Sequence, residues 1–120
     1  MTLLRQPNIP PTTEMSSDIS DIILRIIQED RRLRILRILS AVPAYITNER
    51  VLKRILPTLG HAVTSDLLRA EIVWLEEQGL LNIKYARELY VVQLTPQGED
   101  VGQGLAQVPG IAVTSPQDVK

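Results

Sequence analysis

The amino-acid sequence predicts a mainly α chain with a small β-hairpin. Three observations point there. Apolar residues recur at helical spacing from Ile19 to Leu75, two strand-like runs stand at 81–85 and 89–94, and the predicted helices are bounded by residues that cap or break helices. The elements read helix, short strand, helix, helix, strand, turn, strand, helix. That order is the winged helix-turn-helix, here with an extra N-terminal helix in front.

The composition suits one small domain. A chain of 120 residues is a single domain by length. It is 44% hydrophobic but only 3% aromatic and has no Phe, so Leu, Ile and Val must fill the core.

Taken in order, residues 1–15 read as a disordered arm, because Pro7, Pro10 and Pro11 interrupt it and no apolar period runs through it. Residues 16–28 read as a leading amphipathic helix. Ser16, Ser17 and Asp18 offer N-cap chemistry, and Ile19, Ile22, Ile23, Ile26 and Ile27 form an i, i+3, i+4, i+7, i+8 stripe. The winged-helix domain is then expected over 29–106. Its first helix, about 30–41, carries Ile35, Ile38, Leu39 and Val42, which lie on a different face from the leading stripe. Either the chain breaks in the polar stretch Gln28–Arg32, the preferred expectation, or one long helix shows two faces to two partners.

Pro43 ends that helix, and Ala44-Tyr45-Ile46 suits a short strand. Thr47 or Asn48 caps a second helix, which Pro57 stops or kinks near Leu56, with Gly60 finishing the turn. The third helix has the best-marked ends. Thr64 is its N-cap, Val63 and Leu68 occupy the hydrophobic-staple positions, and Gly79 with Leu80 suits a Schellman ending. Its core stripe is Leu68, Ile72 and Leu75, expected to pack against Ile35, Ile38 and Leu39. Two strands follow around Ala86-Arg87-Glu88, with Tyr85 and Tyr90 placed to meet across them. Thr95-Pro96 starts a last helix that Gly102 and Gly104 weaken, and 107–120 reads as a flexible tail.

Several function classes are excluded or disfavoured. Without Cys there is no disulfide, thiolate metal site or Cys nucleophile, and His61 alone cannot build a zinc site. No phosphate loop or nucleophile elbow is present. The expectation is no enzyme, no catalytic residues, no metal, no cofactor and no small-molecule ligand. No apolar run is long enough for a membrane span and the N-terminus lacks a secretory pattern, so the expected location is cytoplasmic.

The net charge of −1 hides an asymmetry. Residues 25–54 hold eight basic residues against three acidic ones, whereas 64–82 hold Arg69 against Asp66, Glu71, Glu76 and Glu77.

Leu75–Leu81, the hairpin, and Leu94-Thr95-Pro96-Gln97-Gly98 resemble winged-helix transcriptional regulators of the multiple-antibiotic-resistance and arsenic-resistance types. The segments Arg32–Leu39, Gly60–Thr64, Glu71–Leu80 and Val108–Ile111 resemble more closely a family of small winged-helix proteins of Mu-like phages and prophages. The resemblance implies the fold and a phage or prophage setting, and carries no site residue over.

For a winged helix, the third helix would enter a major groove of double-stranded DNA. Ser65 and Arg69 are the expected groove contacts, with Lys84 and Arg87 near the hairpin and Arg50, Lys53 and Arg54 on the second helix as backbone contacts. A DNA-binding phage or prophage transcription regulator is the first expectation. The alternative is a winged-helix adaptor that binds protein, because the third helix is net acidic and Trp74 points off its core stripe toward Val73. Trp74 instead folded over the core edge is the competing expectation. His61 is expected to play a structural part, bonding a carbonyl, with a phosphate contact as its alternative. The five isoleucines of the leading stripe are expected to join a homodimer, or else to fold back on their own domain.

Overall fold

The structure, a computed structural model, describes residues 11–113. It is mainly helical with one small three-stranded antiparallel sheet, an arrangement compatible with a winged helix.

Helix α1 runs unbroken from Pro11 to Ala41. The expected break at Gln28–Arg32 does not occur, and the two-faced single helix does. No Gly or Pro stands between Thr12 and Ala41, and Gln, Glu and Arg in the polar stretch are good helix formers. Pro11 sits at the first position, where a missing N–H is harmless. Residues 11–15 therefore belong to the helix, not to an arm; residues 1–10 lie outside the described residues. Along α1 the burial changes abruptly. Residues 18–27 are all exposed, whereas Leu33, Ile35, Leu36, Ile38 and Leu39 are buried.

A 3-10 turn over Pro43–Tyr45 follows, with Ala44 and Tyr45 at φ 59° and 60°. It displaces the first strand: β1 is Ile46–Asn48, two residues later than expected. Asn48 caps α2 (Glu49–Ile55), its Oδ1 accepting from the Val51 N–H at 3.0 Å. Pro57 ends α2 in a 3-10 turn over Leu56–Leu59, and Gly60 closes it at φ 93°. Thr64 caps α3 (Ser65–Glu77), accepting from the Leu67 N–H at 3.1 Å. At the far end the Leu80 N–H donates to the Leu75 carbonyl and the Gly79 N–H to the Glu76 carbonyl, the Schellman pair that was expected.

Strands β2 (Leu81–Ala86) and β3 (Leu89–Leu94) form a hairpin, and β1 adds to its other side in the order β1-β3-β2. Arg87 and Glu88 make the two-residue turn at φ 52° and 65°, the signs a type I′ hairpin turn requires. Tyr85 and Tyr90 are register partners and meet edge-on, with ring centroids 5.8 Å apart. Helix α4 (Pro96–Gly102) is capped by Thr95.

One core unites these elements. Ile35, Ile38 and Leu39 of α1 share it with Leu52, Leu56, Leu68, Ile72, Leu75, Leu81, Val92 and Val101. Glycines let α4 approach closely. A Cβ on Gly98 would fall on the Leu80 carbonyl oxygen, and one on Gly102 would touch the Leu36 side chain at 3.4 Å. Gly98→Ala is expected to destabilise by about 1–3 kcal/mol through overpacking, read as a lower urea midpoint; an unchanged midpoint would contradict this packing.

Part of the expected flexible tail packs on the domain. Ile111 is buried, and the Ala112 N–H donates to the Glu29 carbonyl at 3.2 Å. The apolar side chain of Ile111 joins the core cluster despite the small, polar composition around it. Residues 114–120 lie outside the described residues.

Candidate nucleic-acid interface

Helix α3 presents two opposed faces. Leu68, Ile72 and Leu75 are buried. Directly opposite, Asp66, Ala70, Val73 and Glu77 stand at i, i+4, i+7 and i+11, and all four are exposed. Asp66 of this line also borders one open cleft and Val73 a second. The first, about 350 Å³, lies beside α2 and is lined by Glu49, Arg50, Lys53, Ser65, Asp66, Leu68, Arg69 and Leu89. The second, about 470 Å³, lies beside the hairpin, where Val73, Glu76, Ile83, Tyr85 and Tyr90 join Arg69.

Arg69 stands where the two clefts meet, and its guanidinium is engaged within the fold. Its Nε donates to Glu49 Oε1 at 2.7 Å and its Nη2 to Oε2 at 2.6 Å, a two-pronged pair. Nη2 also donates to the Glu88 carbonyl at 2.9 Å, and the guanidinium lies 4.4 Å from the Tyr90 ring centroid. Glu49 is buried and additionally accepts from the Tyr90 N–H at 2.7 Å. The hydrogen bond from Arg69 holds the Glu49 carboxyl below its usual value, against the opposing effect of burial, and the same bond raises the arginine's own pKa. Arg69 thus ties α2, α3 and the hairpin together, a structural role beside the groove contact expected of it.

The other expected contacts are distributed unevenly. Ser65 is exposed and accepts from Lys53 Nζ at 2.9 Å, so these two side chains and Arg50 share the first cleft. Arg54 is exposed but lines neither cleft. Arg87 stands exposed at the hairpin turn. Lys84 is exposed too, but strand alternation places it on the sheet face opposite Ile83 and Tyr85.

One of the four carboxylates of α3 is internal, and the other three are exposed. Glu71 is only 2% exposed; its Oε2 accepts from Arg31 Nε at 2.9 Å and its Oε1 from Arg32 Nε at 2.8 Å. Glu76 accepts from the Ile83 N–H at 3.0 Å. The Arg32 guanidinium lies 3.8 Å from the Trp74 ring centroid and donates from Nη1 to the Gly110 carbonyl at 3.2 Å. Gly110, at φ 97°, passes so close that a Cβ there would meet the indole at 2.7 Å. Trp74 is half-buried and packs against the core edge of its own chain, as the competing expectation had it; Val73 stays exposed. His61 is buried, with Nε2 2.7 Å from Asp30 Oδ2, so its partner is a carboxylate on α1.

The leading stripe does not fold back. Ile19, Ile22, Ile23, Ile26 and Ile27 are 41–59% exposed, and Leu24 joins them. Among the described residues no helix is long and apolar enough to cross a membrane, and no group of three or more His, Cys, Asp or Glu side chains is placed to hold a metal.

Sequence analysis missed Glu49 as the residue that holds Arg69. Its only local trace is an acid in the first turn of α2, a position that favours carboxylates in any helix.

Over 92 residues the chain is 42% identical to the "Uncharacterized protein gp26" of Escherichia phage Mu, an alignment covering 77% of this chain and 95% of gp26. It is also 42% identical over 67 residues to an uncharacterized protein of Haemophilus influenzae, covering 56% of this chain and 65% of that protein. No family model matches the chain, and no solved structure matches it.

Proposed function

This chain belongs to the family of the phage Mu protein gp26, and we propose that it is a DNA-binding winged-helix protein, a phage or prophage transcriptional regulator. One observation carries the proposal: the outward line of α3 stands bare beside a cleft holding the cations Arg50 and Lys53. With α3 in a major groove, those cations lie where one phosphate strand passes, and Arg87 at the hairpin turn serves a second backbone contact. The internal neutralisation of Glu71 and Glu49 supports it, since two of the carboxylates that would repel phosphates are spent inside the fold.

The test is binding to a mixed-sequence duplex across a salt series. The wild-type chain is expected to lose affinity steeply as salt rises, and Arg50→Gln with Lys53→Gln to flatten the log–log slope by about 2. No detectable binding to any duplex at low salt would remove the proposal. A protein-binding adaptor is the second reading. The specific observation favouring it is that the outward line carries Asp66 and Glu77 and no cation.

In this proposal two copies pair through Ile19, Ile22, Ile23, Ile26 and Ile27, which places two groove-binding heads on one duplex. The support is that this helical face is apolar and uncovered by its own domain, and amphipathic helices gain their stability by burying such faces. Sedimentation of the intact chain beside Ile23→Asp with Ile26→Asp is expected to show a dimer and a monomer respectively. An intact chain that sediments as a monomer ends the dimer proposal.

A further inference from the structure

We infer that α3 reads thymine methyl groups and a cytosine amino group, and makes no guanine contact. This rests on the DNA-binding reading above and names the base chemistry of the same surface.

Arginine with both prongs on guanine O6 and N7 is the commonest specific contact in the major groove. On α3 the one arginine is Arg69, and its guanidinium is already bonded to both oxygens of Glu49 and to the Glu88 carbonyl, with Tyr90 against its face. Freeing it would leave the buried Glu49 carboxylate without its counter-charge, which is strongly unfavourable. The surface left to meet base edges is Ser65, whose hydroxyl already accepts from Lys53, and the line Asp66, Ala70, Val73, with Glu77 a turn further on.

The chemistry of that line is specific. Asp66, when ionised, only accepts hydrogen bonds. In the major groove, G presents acceptors at N7 and O6 and T presents O4, so these edges repel a carboxylate; the cytosine N4 amino group donates to it. Ala70 and Val73 offer only methyl groups, whose complement in the groove is the thymine C5-methyl. The methyls stand four and seven residues along the helix from Asp66, roughly 6 and 10 Å at 1.5 Å per residue. That is a rise of about two to three base pairs at 3.4 Å each, so cytosine and thymine signals fall within one short half-site.

The experiment selects duplexes from a random-sequence library at low salt with the full chain. It then measures the selected duplex after two substitutions that preserve pairing. Deoxyuridine in place of thymidine removes the C5-methyl; 7-deazaguanine removes the guanine N7 acceptor. Expected is a loss of about fourfold for each contacted methyl on uridine substitution, the factor equivalent to about 0.8 kcal/mol per buried carbon. No change is expected with 7-deazaguanine. Asp66→Asn, at an exposed position, should move the selected base toward adenine, which asparagine bonds through N6 and N7.

Weakening by 7-deazaguanine with indifference to uridine would overturn the inference and leave DNA binding standing. Binding without enrichment of any sequence would do the same. Absence of binding to every duplex would overturn both.

Discussion

Replacing Glu71 by alanine is expected to destabilise the fold by about 3–5 kcal/mol, because it strands one buried and one half-buried cation. The carboxylate is nearly inaccessible, and the side chains of Arg31 and Arg32 are only 11% and 10% exposed. Alanine removes the shared acceptor from both guanidinium groups at once. Arg32 also lies on Trp74 and holds the Gly110 carbonyl, so the loss should reach the indole. Two measurements check this together: a lower urea midpoint, and a shift of the emission of Trp74, the one tryptophan in the chain, to longer wavelength. Glu71→Gln, which keeps the shape and one acceptor, should fall between. A loss below about 1 kcal/mol with unchanged emission would show that the α1–α3 clamp contributes little.

Leu75→Ala is expected to lose about 2–5 kcal/mol, from lost burial and the cavity left behind. Leu75 is fully buried in the core that joins α3 to α1, and its carbonyl also accepts the Leu80 N–H that closes the helix. The substitution spares that backbone bond, so the loss isolates packing. It should appear as an equal-slope shift in the urea midpoint, with the hairpin intact. A loss below about 1 kcal/mol would place the wrong face of α3 inward, and the outward line Asp66, Ala70, Val73, Glu77 would fall with it.

Much of the architecture is legible in the sequence because it is made by near neighbours. Thr64 bonds the Leu67 N–H, Asn48 the Val51 N–H and Thr95 the Gly98 N–H, each three residues on. The buried stripe of α3 repeats within one helical turn, and Tyr85 meets Tyr90 across a two-residue turn. The unbroken α1 is equally local. The change of apolar face at Gln28–Arg32 suggests an interruption, but that stretch has no Gly or Pro, and its Asp30 side chain is turned to Arg34 and His61. A change of face marks a change of partner: the Ile19–Ile27 stripe looks to solvent and Leu33–Leu39 to the core.

The candidate site was less legible, because its decisive contacts join residues far apart in the chain. Arg69 and Glu49 are 20 residues apart, Arg31 and Glu71 40, and Arg32 and the Gly110 carbonyl 78. Composition counts each of these arginines as a cation available to a phosphate and each of these glutamates as a charge on the surface. Only the packed structure decides which charges cancel inside it. By itself the sequence determined the caps of α2, α3 and α4, the hairpin and the apolar faces, since backbone hydrogen bonds and side-chain periodicity are set within a few residues. Tertiary structure decided that Arg69 braces the hairpin, that Trp74 lies under Arg32 and Gly110, and that the outward line of α3 is acidic and apolar. The physical reason is that a buried carboxylate must find a cation wherever the fold brings one, and the chain position of that cation is immaterial to the charge.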